Sequence, residues 1–151
     1  MATIKEVLNN AKNASNNARG VTIGIIEDHE DIITGYNKNQ LTHGLRRDKT
    51  KIEPIYGSLI YALEKNKQNP LAGIYTPDLN LTGAFYRGFF LSIKGFAFEI
   101  SSDDEKTNEL LSKYGPMIFG LSEDSINNYS RNEFFEEFKK FIENTLKLKM
   151  Q

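Results

Sequence analysis

The densest group of potential metal ligands is the acidic run at residues 27–31, which reads Glu-Asp-His-Glu-Asp. A hard cation needs several oxygen ligands that converge on one point. An extended chain directs successive side chains to opposite faces, and the run lacks the spacing and the fixed glycine of a calcium-binding loop. We therefore predict a solvated acidic loop here, without metal ligands.

Other arrangements that support catalysis are missing from the sequence. Its two histidines, His29 and His43, lie in different predicted elements, and there is no cysteine to act as nucleophile or ligand. No Gly-x-Ser-x-Gly turn is present, and no glycine-rich loop precedes a Lys-Ser or Lys-Thr pair. We therefore assign no catalytic, cofactor-binding or metal-binding residue, and we expect that the chain is not an enzyme.

Four cations crowd one predicted loop, which we call the basic loop: Arg46, Arg47, Lys49 and Lys51. It is the best candidate in the sequence for contact with phosphate groups or with an acidic partner. Asp48 interrupts the group, and no aromatic residue is interleaved to stack on bases. We predict an interface at the basic loop, with an exposed loop that has no special partner as the alternative.

The first elements follow from capping residues and hydrophobic spacing. Thr3 and Glu6 form a capping-box pattern, and apolar residues at helical spacing then predict a helix that ends at Gly20. The β-branched segment at residues 21–26 predicts a strand or a buried extended segment ahead of the acidic run.

Three further helices are predicted between the acidic run and residue 116. Asn37 is expected to cap a short helix that ends at Gly44, and the apolar spacing of residues 56–65 predicts another. A third begins near Ser102 and ends at Gly115, because glycine admits a left-handed cap and the proline that follows cannot continue a helix.

The clearest β signal is a pair of aromatic-rich runs at residues 89–93 and 96–100, separated by Lys94-Gly95. Two such runs around a two-residue turn predict a β-hairpin. Phe96, Phe98 and Ile100 alternate along the second run, so they share the face expected to point to the core.

The last element carries a continuous apolar stripe that begins at Phe134 and Phe135 and repeats at helical spacing. Ser130 and Glu133 form a second capping box, so we predict that this helix starts at Arg131 and is the longest in the chain. Core packing is the default role of the stripe, and an interface is the alternative. Together these elements predict one α+β domain over residues 1–151, a small antiparallel sheet with a central hairpin packed against three or four helices.

Composition excludes several classes of protein. The 151 residues are 39% hydrophobic, enough for a packed core, and the formal net charge is -1. This balance argues against a surface devoted to nucleic acid or to anionic membranes. No segment has the length of a membrane span or the apolar core of a secretory signal, so no membrane partner is expected.

A series of short motifs runs through residues 40–121, and their order resembles a family of small structural proteins in tailed phages of gut Bacteroidales, including crAss-like phages. The motifs are Gln40-Leu41-x-x-Gly44, Ile52-x-Pro54-x-Tyr56, Tyr61-Ala62-x-x-Lys65, Thr76-Pro77-Asp78-Leu79-x-Leu81-Thr82-Gly83-x-Phe85, Ser102-Asp103-x-x-Lys106, Lys113-Tyr114-Gly115 and Ile118-Phe119-Gly120-Leu121.

A shorter segment resembles another phage family. Leu81-Thr82-Gly83-Ala84-Phe85, followed by Ser92-Ile93 on a predicted strand, is similar to the Thr-Gly-x-Leu…Ser-Ile segment of phage tail-completion (neck) proteins. Those proteins are small α+β subunits that assemble as rings between portal and tail. This family has no catalytic residues that could be carried over.

These resemblances imply a virion structural protein that is made in the host cytoplasm and forms a ring in the head-to-tail connector (neck). The implied partners are copies of itself and other portal, neck or tail proteins of the phage, while proximity to packaged DNA stays open. The alternatives are a minor capsid or tail protein of the same phage, or a small bacterial enzyme or nucleic-acid-binding protein that uses residues 27–31 or the basic loop. A large apolar flank on the protomer would favour the ring, and acidic side chains converging on one cleft would favour the enzyme.

Overall fold

A computed structural model describes residues 3–95 and 97–146. The chain divides into two compact units, one formed by residues up to 29 together with those from 127 onward, the other by residues 30–126. The α+β class and the antiparallel hairpin are confirmed. The single domain over residues 1–151 stays a prediction, because a division of contacts does not tell whether the two units fold together.

The described residues contain seven α-helices, more than the three or four predicted, and one two-stranded sheet. In chain order the elements are α1 (Ile4–Asp28), α2 (Glu30–Thr42), α3 (Leu59–Gln68), α4 (Ala84–Arg87), β1 (Phe89–Lys94), β2 (Ala97–Ser102), α5 (Thr107–Tyr114), a 3₁₀ turn (Pro116–Ile118), α6 (Glu123–Tyr129), a π-helical segment (Ser130–Phe134) and α7 (Phe135–Leu146).

Helix α1 begins as predicted and ends later than predicted. The Thr3 hydroxyl accepts from the Glu6 amide at 3.2 Å, and the Thr3 amide donates to the Glu6 carboxylate at 2.6 Å. The predicted end at Gly20 and the strand at residues 21–26 are wrong, because the helix continues to Asp28. A glycine inside a helix costs only about 1 kcal/mol, and packing of α1 along α7 overrides this cost and the β propensity of residues 21–26.

The start of the last helix was also predicted wrongly. Tyr129 already has helical backbone angles, so Ser130 continues a helical backbone and does not cap the start of a new helix. The π-helical segment at Ser130–Phe134 then runs directly into α7. The longest helix is therefore α1, with 25 residues, whereas α7 has 12. The Phe134 and Phe138 rings stack at 5.5 Å, but Phe135 is 62% exposed, so the stripe is narrower than predicted.

The predicted hairpin is confirmed in the second unit, but its predicted turn at Lys94-Gly95 is wrong. Phe89 pairs with Ser102, and Lys94 belongs to β1 and pairs with Ala97, so the turn begins only after Lys94. Ile100 is buried and Phe98 half-buried, as the shared face requires, while Phe96 lies outside the described residues. The core beneath the sheet includes the rings of Phe85, Phe89 and Phe119, whose centroids are 5.0–5.7 Å apart.

Helices α2, α3 and α5 differ from prediction at their first turns. Asn37 does not cap a helix but is fully buried in the middle of α2. Helix α3 begins after Ser58, whose hydroxyl accepts from the Tyr61 amide at 3.3 Å. Helix α5 begins at Thr107 rather than near Ser102, and it ends at Gly115, which has a φ of +86°, as predicted.

Candidate functional site

Helix α3 has an unusual distribution of side chains. Its two buried residues are Ala62 and Lys65, whereas Leu59, Ile60 and Leu63 are exposed. A surface helix normally buries its large apolar residues and leaves its lysines in water. The helix must therefore dock through polar contacts, and its apolar residues are left facing outward.

The docking contact is a buried ion pair. The Lys65 Nζ lies 3.0 Å from the Asp78 Oδ1, and these side chains are only 8% and 6% exposed. The same Nζ donates to the Asn80 carbonyl at 2.6 Å. Two charges so far from water are tolerated only because they neutralise each other and their hydrogen-bonding capacity is used.

Further hydrogen bonds fix the segment that carries Asp78. The Asn69 Nδ2 donates to the Asp78 Oδ2 at 3.0 Å and to the Thr42 carbonyl at 2.7 Å, which ties the end of α3 to the end of α2. The Asn80 amide donates to the Asp78 Oδ1 at 3.0 Å, and the Tyr86 hydroxyl donates to the Asp78 carbonyl. This network holds α3 in one orientation on the second unit.

Two tyrosines beside the network are held in their neutral form. Burial raises the pKa of Tyr56, and the negative charge of Asp78 raises it further. Burial also raises the pKa of Tyr86 and outweighs the opposite effect of its hydrogen bond with Thr42. Neither phenol is available as a base near neutral pH, so both serve as rigid donors and packing groups.

The exposed apolar residues of α3 are Leu59, Ile60 and Leu63, and we call them the α3 apolar face. At about 100° per residue they lie within roughly 100° of one another around the helix axis, on the side away from Ala62 and Lys65.

The members of this face are 43–73% exposed, although leucine and isoleucine are usually buried. Further exposed apolar side chains occur elsewhere in the second unit, at Ile55, Leu71, Ile74, Tyr75 and Leu81. Neighbouring apolar side chains that stay exposed together mark interaction sites, whereas single ones are ordinary. The α3 apolar face is therefore a candidate interface.

A concavity of about 400 Å³ adjoins α3. Tyr56, Tyr61, Lys65 and Tyr114 line it, and so do the acidic residues Asp104, Glu105 and Glu109. The Lys65 side chain cannot act as a nucleophile while it is held as a cation by Asp78 and Asn80. No histidine lines this concavity.

A second concavity of about 530 Å³, which we call the hairpin groove, lies between β2, α5 and the segment before α6. Its apolar lining consists of Phe98, Ile100, Leu111, Phe119, Leu121 and Ile126.

Side-chain amides of α2 fix one wall of the hairpin groove. Asn37 donates to the Ile118 carbonyl at 2.9 Å and accepts from the Gly120 amide at 2.8 Å. Gln40 likewise donates to the Gly120 carbonyl at 3.0 Å and accepts from the Ser122 amide at 2.8 Å. These four hydrogen bonds pair the backbone groups of residues 118–122, as a neighbouring β-strand would. This wall of the groove is therefore held in place within the protomer.

The basic loop is partly engaged within the protein. The Lys49 Nζ lies 2.6 Å from an Asp124 carboxylate oxygen, and an Arg46 Nη2 donates to the Glu53 carbonyl at 3.0 Å. Arg47 also lines the hairpin groove, and among the described residues its side chain has no ion pair or hydrogen bond, nor does that of Lys51. An interface at Arg46, Arg47, Lys49 and Lys51 stays a prediction.

The acidic run is not a loop, contrary to prediction. Glu27 and Asp28 end α1, whereas Glu30 and Asp31 lie in the first turn of α2, where a negative charge interacts favourably with the helix dipole. A Glu30 carboxylate oxygen accepts from the Leu91 amide on β1 at 2.9 Å. Within residues 3–95 and 97–146, no three histidine or carboxylate side chains are grouped to hold a metal ion.

The two histidines lie in separate local contacts. The His29 Nδ1 is 3.1 Å from the Tyr129 hydroxyl, and the His43 Nδ1 is 2.8 Å from the Asn39 carbonyl. Burial raises the pKa of Tyr129 to about 12, and the charge of Glu133 adds to the effect.

Sequence reasoning missed the α3 apolar face and the Lys65–Asp78 pair. The spacing of Leu59, Ile60 and Leu63 indicated the helix but not which side is buried. An apolar stripe is normally assigned to the core, and only the burial of Lys65 on the other side reveals the inversion.

Among the helices that the structure describes, none combines the length and the apolar content that crossing a bilayer requires. Comparisons with protein-family models, with curated proteins and with solved structures find no match for this chain.

Proposed function

We propose that this chain is a virion structural protein that forms a ring in the head-to-tail connector of a tailed phage. The observation that carries the proposal is the α3 apolar face, because three neighbouring apolar side chains left exposed on one side of a helix are typical of an interaction site. The order of motifs over residues 40–121 supports the phage assignment, because it resembles small structural proteins of tailed phages.

The way in which α3 is attached supports a role in assembly. An apolar face would be lost if the helix could rotate and bury it, which is the usual outcome for Leu and Ile residues. The ion pair of Lys65 and Asp78 opposes this rotation, because turning the helix would separate two buried charges. The protomer therefore presents a fixed apolar surface before it meets its partner.

The alternative of a minor capsid or tail protein in the same phage needs the same surface and differs only in location. The alternative of a small enzyme would use the concavity beside α3, where Asp104, Glu105 and Glu109 lie. These carboxylates have a structural explanation, because they sit around the start of α5, and Asp104 accepts from the Lys106 amide at 2.9 Å.

The self-association part is tested by the native mass of the purified chain over a range of concentrations. We expect one closed assembly of defined copy number for the natural sequence. Ile60→Glu places a charge at the most exposed residue of the α3 apolar face, so it should leave only protomers. Gln68→Glu is the matched control, since Gln68 is exposed on the same helix and is turned about 80° or more around the axis from each residue of this face. A protomer at every concentration for the natural sequence would refute self-association.

The virion part is tested separately in particles. Virions should be purified from a host infected with a phage that encodes the chain. They should contain peptides of the chain at a fixed ratio to the portal protein, and antibody against the chain should label the neck. Labelling of the capsid shell or the distal tail would favour the minor capsid or tail alternative. Absence from purified particles would refute the assignment.

A further inference from the structure

We infer that the contact between copies is heterologous: the α3 apolar face of one copy sits in the hairpin groove of the next. This inference rests on the proposed self-association and adds which two surfaces meet. A helix that lays apolar anchors, spaced three and four residues apart, into an apolar groove is a common mode of protein recognition. Leu59, Ile60 and Leu63 have this spacing, and Ile60, at 73% exposed, is the outermost of them.

The two surfaces are different patches of the same unit, because none of Leu59, Ile60 and Leu63 lines the hairpin groove. Successive residues of α5, Leu110 and Leu111, line the concavity beside α3 and the hairpin groove respectively. Neighbouring residues on a helix point about 100° apart, so α5 separates the two regions. When two copies associate through two different surfaces, one copy keeps a free α3 apolar face and the other keeps a free hairpin groove. Further copies can therefore add, and the chain of subunits closes into a ring when the rotation per subunit allows.

Both surfaces carry charges of both signs: Arg47 and Glu99 line the hairpin groove, where Glu99 already pairs with Lys94, and Glu64 and Lys67 flank the α3 apolar face. Arg47 is exposed, lines the hairpin groove, and packs against Gly120, where a Cβ would lie 2.9 Å from its Cδ. Glu64 is exposed next to Leu63 on α3. Among the described residues, neither side chain has an ion pair or hydrogen bond. Docking α3 in the groove would give each an opposite charge at the rim.

The identity of the occupant follows from this match. The groove needs an apolar helix flanked by a carboxylate, and α3 of a second copy supplies both. In a ring, each copy places its α3 in the groove of one neighbour, and its own groove holds the α3 of the other neighbour. The predicted interface at the basic loop would then be explained through Arg47.

The test combines two variants that each disable one surface. Ile60→Glu disables the α3 apolar face, and Ile126→Glu disables the groove at a residue that is 46% exposed, so the fold should tolerate it. Each variant alone should remain a protomer. An equimolar mixture should give a 1:1 heterodimer and nothing larger, because one intact face and one intact groove remain. Circular dichroism of each variant checks the fold.

Other outcomes discriminate between this contact and its rivals. If Ile126→Glu alone assembles like the natural sequence, or if the mixture stays protomeric while each variant is folded, the inferred contact is wrong although self-association stands. If the natural sequence never assembles, the proposed function fails and this contact with it. Arg47→Glu and Glu64→Arg should each weaken assembly up to about fivefold, and both changes in one chain should restore it.

Discussion

Replacing Lys65 by Met should destabilise the second unit strongly, although methionine keeps the length and most of the volume of the side chain. The Lys65 Nζ lies 3.0 Å from the Asp78 Oδ1 and donates to the Asn80 carbonyl at 2.6 Å. The substitution removes both interactions and leaves the Asp78 carboxylate buried without its cation. Breaking one side of a buried pair costs about 3–5 kcal/mol, a large part of the 5–15 kcal/mol that stabilises a typical domain.

The cost should come from the unpaired charge rather than from lost packing. Asp78→Asn combined with Lys65→Met removes both charges, and the one amide oxygen then present at residue 78 can still accept from either the Asn80 amide or the Asn69 Nδ2. We expect the double variant to be more stable than Lys65→Met alone, since neutralising both partners is often tolerated. Lys67→Met on the same helix is the matched control, and it should change stability by less than about 0.5 kcal/mol.

The measurement is urea-induced unfolding followed by circular dichroism, with hydrogen exchange to locate the loss of protection. The free-energy difference is read from the shift in midpoint at constant slope. Loss of protection should concentrate in α3 and in the segment that carries Asp78. A Lys65→Met variant as stable as the Lys67→Met control would refute the reasoning, because it would mean that the pair is solvated and does not hold α3.

Three further predictions concern other parts of the fold. Asn37→Leu should cost about 2–4 kcal/mol in urea unfolding, because it deprives two buried backbone groups of the loop at residues 118–120 of their partners. Gly88→Ala should cost about 1–3 kcal/mol in the same assay, since a Cβ would lie 2.5 Å from the Ser102 Oγ. The free energy of unfolding should fall between about pH 10 and pH 12, because the pKa of Tyr129 is raised in the folded protein and its phenol therefore ionises first in the unfolded chain. Tyr129→Phe should make this fall shallower. An unchanged pH profile for the variant would contradict the prediction.

The parts of the fold that sequence predicted are those set by neighbouring residues. The hairpin depends on two aromatic-rich runs, so its existence could be expected from local pattern, whereas its register differs from the one that a turn at Lys94-Gly95 implies, because Lys94 pairs with Ala97. The capping box at Thr3 and the end of α5 at Gly115 are also local, and they are confirmed. Local signals failed at Gly20 and Ser130, where packing between helices of the first unit continues the helical backbone past residues that usually interrupt or start it.

The candidate site was less predictable, because its parts are distant in sequence. Asn37 was assigned as a helix cap from its type alone, whereas its partners are more than eighty residues away. Lys65 and Asp78 are thirteen residues apart, and nothing local distinguishes them from the other charged residues of the chain. The basic loop could be identified from sequence as a cluster of cations, but the ion pair between Lys49 and Asp124 depends on tertiary structure.

In the proposed ring, the inversion of α3 would link the stability of the protomer to its assembly. A ring subunit must fold alone, and it must also keep apolar area uncovered until it meets its neighbour, although the hydrophobic effect favours covering that area at once. Polar contacts on the inner side of α3 resolve this conflict, because their geometry is specific where apolar contacts are not. The same apolar area buried inside would give a more stable protomer with nothing to offer a partner. The buried lysine therefore makes sense as the residue that keeps Leu59, Ile60 and Leu63 outside.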